Sequence, residues 1–109
     1  FNVDTQRDFF ETGTYKIPSA EHILTNLNDI TQYAKIRNAK VISTVGWYHP
    51  NSKFLSDTPD YNKTYPKHCL MNTEGAKFLK ETSPENYFLK RETDFNTFKF
   101  EISKREASI

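Results

Sequence analysis

A carboxylate (Asp4), an imidazole (His68), a thiol (Cys69) and an ammonium (Lys90) are the side chains of this sequence that could share a reaction. They are the ingredients of proton transfer and nucleophilic chemistry. His68 and Cys69 are adjacent in the stretch from Thr58 to Ala76, which carries Pro59, Pro66 and Gly75 and so reads as a loop. A loop that presents His and Cys is worth more to function than to packing. Cys69 is the only cysteine of the chain. If the segment is extended, His68 and Cys69 point to opposite faces and make a poor nucleophile–base pair. Cys69 is therefore expected to be a small, partly buried thiol.

The rest of the chain must bring Asp4 and Lys90 to that loop. Phe1-Asn2-Val3 is apolar at alternate positions and closes on Asp4, as a short strand does. Gly13 marks a turn. Pro18-Ser19 opens a helix with Ser19 as its cap, Ile23, Leu24, Leu27, Ile30 and Ala34 fall at helical spacing, and the helix should end near Asn38. Lys40 to Val45 is β-branched and of strand length. Strand, helix, strand is a βαβ unit with a right-handed crossover, which sets Gly46-Trp47 on the same sheet edge as Asp4. Trp47 to Asn72 has no regular pattern, and a connection so long is usually a functional loop. Thr73 is expected to cap a short helix from Glu74 to Lys80, and Tyr87-Phe88-Leu89 reads as a third strand ending in Lys90.

Composition excludes several classes. The 109 residues fit one domain, 1–109, with 15% aromatic residues to supply a core. Net charge is +1 with acids and bases interspersed, and the longest basic cluster is Lys104-Arg105, so no nucleic-acid or anionic-lipid surface is expected. No apolar run reaches a membrane-spanning length and no signal-peptide pattern opens the chain. With one cysteine, a reducing cytoplasmic setting is the default. The opening on Phe1 and a capping-box pattern at Ser103 to Glu106, close to the end at Ile109, fit either a chain incomplete at both ends or a frayed, solvated tail. His22 is expected at the surface.

Three segments together carry a resemblance. Val3-Asp4-Thr5-Gln6-Arg7-Asp8-Phe9-Phe10 looks like an opening V-D-x-Q-x-D-F. Ser56 to Tyr61, Tyr65-Pro66-Lys67-His68-Cys69 and Asn72 to Ala76 look like S-x-T-P-D-Y…W-P-x-H-C…G-T-x-G-A. Phe88-Leu89-Lys90 with Asp94 to Phe98 looks like K-x-x-x-D-x-F. In this order they resemble the isochorismatase-like cysteine hydrolases, nicotinamidases in particular. The resemblance implies a three-layer, Rossmann-like α/β fold with a parallel sheet, and hydrolysis of a small amide such as nicotinamide. It assigns Asp4 to the proton acceptor of a nucleophilic thiol and Lys90 to the cation that stabilises thiolate and oxyanion. It puts the nucleophilic cysteine downstream of this chain, at a position other than Cys69. Phe9, Trp47 and Tyr65 would line the pocket of a planar substrate; core packing is the alternative for each.

The resemblance also implies a divalent metal such as zinc, held by a D-x-H segment and by the histidine that matches His68. Gly46-Trp47-Tyr48 stands where D-x-H should be, so Gly46 and Tyr48 replace both ligands, and His49, one residue out of register, could join His68 as a ligand only if the loop shifts. One histidine does not hold a metal. The expected partners are a small-molecule amide and, because a half-sheet leaves a bare edge, either a second copy of the chain or a missing half of the domain. The alternative function is a non-catalytic relative that binds or assembles.

Overall fold

The computed structural model describes residues 1–10 and 13–84. Two short strands, β1 (Asn2–Val3) and β2 (Ser43–Thr44), pair in parallel with Asn2 opposite Ser43 and Val3 opposite Thr44. Helix α1 (Leu24–Ile36) connects them, so the expected βαβ unit is present. Backbone hydrogen bonds from Asn2 to Ile42 (2.8 Å) and from Asp4 to Thr44 (3.1 Å) extend the pairing slightly beyond the strands. The strand expected over Lys40 to Val45 is shorter because β1 offers it a two-residue partner. The segment Tyr87–Leu89, Lys90, Phe95–Phe100 and the Ser103 capping box lie outside the described residues.

Both ends of α1 depart from a simple capped helix. Ser19 does not cap with its side chain; it adopts a left-handed φ of 59° before a 3₁₀ turn, Ala20–Ile23. The donors a capping hydroxyl would satisfy are met by backbone instead, Ala20 N–H to the Ile17 carbonyl (3.2 Å) and His22 N–H to that of Ser19 (3.1 Å). At the other end Asn38 takes φ 51°, its N–H donates to Lys35 (3.0 Å), and Ala39 N–H reaches back to Ala34 (2.9 Å). This is a Schellman motif with asparagine in the left-handed position, and it ends the helix where the periodicity does.

The helix expected over Glu74 to Lys80 is a 3₁₀ turn only, Glu74–Ala76. From Lys77 the chain straightens and lies antiparallel against the segment after β1: Arg7 N–H donates to Lys77 (3.0 Å) and Leu79 N–H to Thr5 (2.9 Å). Burial of Phe78 and Leu79 in that position outweighs the local helix signal. Thr73 donates its hydroxyl to the Leu70 carbonyl (2.7 Å) rather than capping. Phe10, Ala20 and Leu79 form the buried core, with Phe9, Leu24 and Leu27 packed against it. His22 is exposed, as expected. Among the described residues no helix is long and apolar enough to cross a membrane.

Candidate functional site

Asp4 stands where β1 ends, at a left-handed φ of 50°, and accepts the Thr44 hydroxyl at 2.6 Å. The same edge carries the end of β2. There Gln6, fully buried, holds Gly46 on both sides: its Nε2 donates to the Gly46 carbonyl (2.9 Å) and its Oε1 accepts the Gly46 N–H (2.7 Å). The Nε2 also donates to the Ala76 carbonyl (2.6 Å), which brings in the 3₁₀ turn. Asp4 and the start of the long loop therefore share one rim of the sheet.

The irregular stretch after Trp47 returns to this rim through two isolated parallel bridges, Tyr48 with Leu70 and Leu55 with Tyr65. Tyr48 N–H donates to the Cys69 carbonyl (3.0 Å) and Met71 N–H to Tyr48 (2.9 Å), so the histidine loop is stitched to the residues that follow β2. Asp60 closes the loop's outer turn by accepting the N–H groups of Asn62, Lys63 and Thr64 within 2.9 Å. Those donors hold its carboxyl well below the usual carboxylate range.

His68 is 6% exposed, and its Nδ1 lies 2.6 Å from the Pro66 carbonyl. Read as a donor, Nδ1 carries the proton in that contact and leaves Nε2 as the acceptor. The ring is enclosed by Tyr15 (4.9 Å between centroids), Tyr48 (5.2 Å) and Phe9 (5.4 Å), and Tyr65 lies tilted against Tyr15 at 6.2 Å. Of the expected substrate residues, Phe9 and Tyr65 thus belong to one ring cluster around His68. Phe9 and Asp4 also line a cavity of about 660 Å³ walled by β1 and α1. Trp47 lies apart, lining a smaller cavity of about 310 Å³ with Val45, Ala76 and Phe78.

Cys69 has no exposed surface and a left-handed φ of 48°, so the segment is not extended there. Burial, then the charges of Asp8 and Asp4, pushes its thiol up to about 12. It is a buried thiol, not an activated one. Because the folded chain holds this proton more tightly than the unfolded chain, the associated stability is complete below the thiol's ordinary value of 9.0 and is lost as pH climbs toward 12. Replacing Cys69 by alanine should remove that part of the alkaline slope, measured by urea unfolding at about pH 8 and about pH 10.5. An unchanged slope would contradict the assignment. Burial first, then the charges of Cys69, Asp4 and Tyr65, also raises the Tyr48 phenol. These shared fields put Asp4, Tyr48 and Cys69 within electrostatic reach of one another.

The described residues do not fit a resident metal. Among the described residues no three His, Cys, Asp or Glu side chains converge. His49 is exposed, and its Nδ1 accepts the Asn51 N–H at 3.1 Å. The space a side chain would need at position 46 is tight, since a Cβ there would sit 3.2 Å from the Cys69 Cβ and 3.3 Å from the Tyr48 ring. The pairing of His68 with His49 as ligands is thus not supported by a third donor. Lys90 lies outside the described residues.

Two residues that hold this site together, Gln6 and Asp8, carried no role in the sequence reading. Both fall inside the opening motif, the one signal that could have found them.

The chain is 30% identical over 76 residues to a nicotinamidase/pyrazinamidase of Mycobacterium tuberculosis, a match covering 70% of this chain and 40% of that protein. Its structure is similar to the zinc complex of the pyrazinamidase of Pyrococcus horikoshii, with a TM-score of 0.56 and 29% identity over 72% of this chain and 42% of that one. The chain is nicotinamidase-like. Its fold is the isochorismatase-type α/β fold, seen also in a nicotinamidase of Acinetobacter baumanii (TM-score 0.53, 23% identity, 76% of this chain and 44% of that one). The yeast nicotinamidase bound to nicotinaldehyde has the same fold (TM-score 0.52, 22% identity, 73% and 47%). No protein-family model matches the sequence. The nicotinamidase-like chain spans about 40% of the length of the curated relative it matches.

Proposed function

We propose that this chain is part of a cysteine hydrolase that cleaves a small amide such as nicotinamide, with Asp4 as the proton acceptor. The observation that carries the reading is the seat of Asp4 at the end of β1, within electrostatic reach of the histidine loop. In the proposed reaction Asp4 takes the proton of a cysteine outside these residues and Lys90 stabilises the thiolate. The sulfur attacks the amide carbon, and the developing oxyanion is held by the same cation. The carbon–nitrogen bond breaks, the proton held by Asp4 leaves with ammonia, and water then hydrolyses the thioester to the acid. Phe9 and Tyr65, from the ring cluster, would give a planar substrate its aromatic walls, with Trp47 outside that cluster. The protein acts in the cytoplasm and pairs with a second copy of itself.

The test is ammonia release from nicotinamide by the protein of the uncut reading frame. Asp4→Asn should lower kcat about 100-fold or more with KM little changed, since the missing group handles the proton and not the substrate's binding. Wild-type turnover in that variant would sink the proposal. A non-catalytic binding role is the second reading. It is favoured by the Cys69 and Tyr48 side chains crowding position 46, where the ligand motif would need a carboxylate, and it gains if the uncut protein folds but releases no ammonia.

A further inference from the structure

We infer that Asp8 is a positioning residue: its buried carboxylate fixes the backbone of the His68–Cys69 segment and admits no side chain at Gly75. Asp8 lies in the 3₁₀ turn Arg7–Phe9 and is 6% exposed. One carboxylate oxygen accepts the Cys69 N–H at 2.7 Å and the other the Thr14 N–H at 3.3 Å, while the Asp8 carbonyl accepts the Tyr15 N–H at 2.9 Å. A single residue thus ties down both chain segments whose rings, Tyr15 and His68, meet at 4.9 Å. The bond to Cys69 falls on a residue with φ 48°, a conformation that a non-glycine residue holds only when its surroundings impose it. A charge-assisted hydrogen bond on its buried N–H is such an imposition.

Gly75 supplies the independent half of the geometry. A Cβ on Gly75 would overlap both carboxylate oxygens of Asp8, closer than real Cβ atoms come to any neighbour. The carboxylate occupies the volume a side chain at position 75 would take, so the identities of residues 8 and 75 are coupled. Alanine at position 75 must expel the carboxylate, and with it the bond to Cys69; alanine at both positions finds the volume vacant.

The catalytic meaning of this arrangement rests on the hydrolase reading above; the coupling itself does not. A double-mutant cycle on the full chain separates the two. The readout is the rate at which the wholly buried Cys69 thiol is alkylated by a maleimide in the native state. Asp8→Ala and Gly75→Ala should each speed alkylation about 10-fold or more, the size of a lost hydrogen bond to a charged group. The double variant should be no faster than either single one within about 3-fold. Asp8→Asn, which keeps an acceptor for the Cys69 N–H, should stay within about 3-fold of the wild type and covers the case in which the alanine variants do not fold. Multiplicative effects in the cycle, or an Asp8→Asn protein as reactive as Asp8→Ala, would overturn the inference. In the uncut protein Asp8→Ala and Gly75→Ala should lower kcat without matching changes in KM, and Asp8→Asn should restore it. Coupled alkylation without ammonia release in the wild type would remove the hydrolase reading and leave the clamp standing.

Discussion

Replacing Gln6 by leucine should cost about 3–5 kcal/mol of stability, the largest loss expected from a polar substitution in this chain. Leucine fills nearly the same volume, so the effect is one of hydrogen bonding and not of packing. Gln6 is fully buried and serves three backbone groups: the N–H and the carbonyl of Gly46, and the carbonyl of Ala76. All three would be left without a partner at the point where β1, β2 and the Glu74–Ala76 turn meet. Gln6→Glu separates this account from simple overpacking. An ionised carboxylate would face two carbonyl oxygens, so the variant's folded state should hold its proton more tightly than the unfolded state. Its deficit should therefore grow as pH rises from about 4 to about 8 and shrink again on acidification. Chemical denaturation of the three proteins across that range measures it. A leucine variant within about 1 kcal/mol of the wild type would refute the role.

Truncating Phe10 to alanine should cost a further-reaching 3–5 kcal/mol, roughly, through the cavity it leaves. Phe10 is 8% exposed and is the largest member of the core it forms with Ala20 and Leu79, against which Phe9, Leu24 and Leu27 pack. Those neighbours come from the 3₁₀ turn after β1, from the start of α1 and from the straight segment after Ala76, so the ring is where three stretches of chain are joined. Phe10→Leu keeps most of the volume and should cost about 1 kcal/mol. The difference between the two, read from urea midpoints at constant slope, tests whether the loss tracks volume. Equal losses would mean that the ring's position, and not its size, matters.

These sites differ in how plainly the sequence announces them. The helix and its end near Asn38 are legible because its apolar residues recur at 3.6 and its last turn ends on an asparagine that tolerates φ 51°. Its start is not, since the chain makes a 3₁₀ turn over Ala20–Ile23 before α1 begins at Leu24. The parallel strands are legible as a β-branched run and an alternating one, though not their length, which each partner limits for the other. Asp4 is legible as the acid that closes a strand. The short helix after Thr73 is not, since its residues have helical spacing and only the tertiary pairing of Phe78 with Gln6 straightens them. Nor is the enclosure of His68 legible, because Tyr15 and Phe9 reach it from a segment more than fifty positions away. Gln6 and Asp8 look like surface residues by type. Only burial makes a glutamine a staple or an aspartate a clamp.

The join at the strand ends has a further property. Every atom Gln6 contributes to it is neutral, and so are the peptide groups it touches, so neither added salt nor moderate acid has a charge there to act upon. The outer rim of the neighbouring turn is built the other way, from the exposed ions Arg7, Glu74 and Lys77. Brine should loosen that rim while the seam beneath it stays shut.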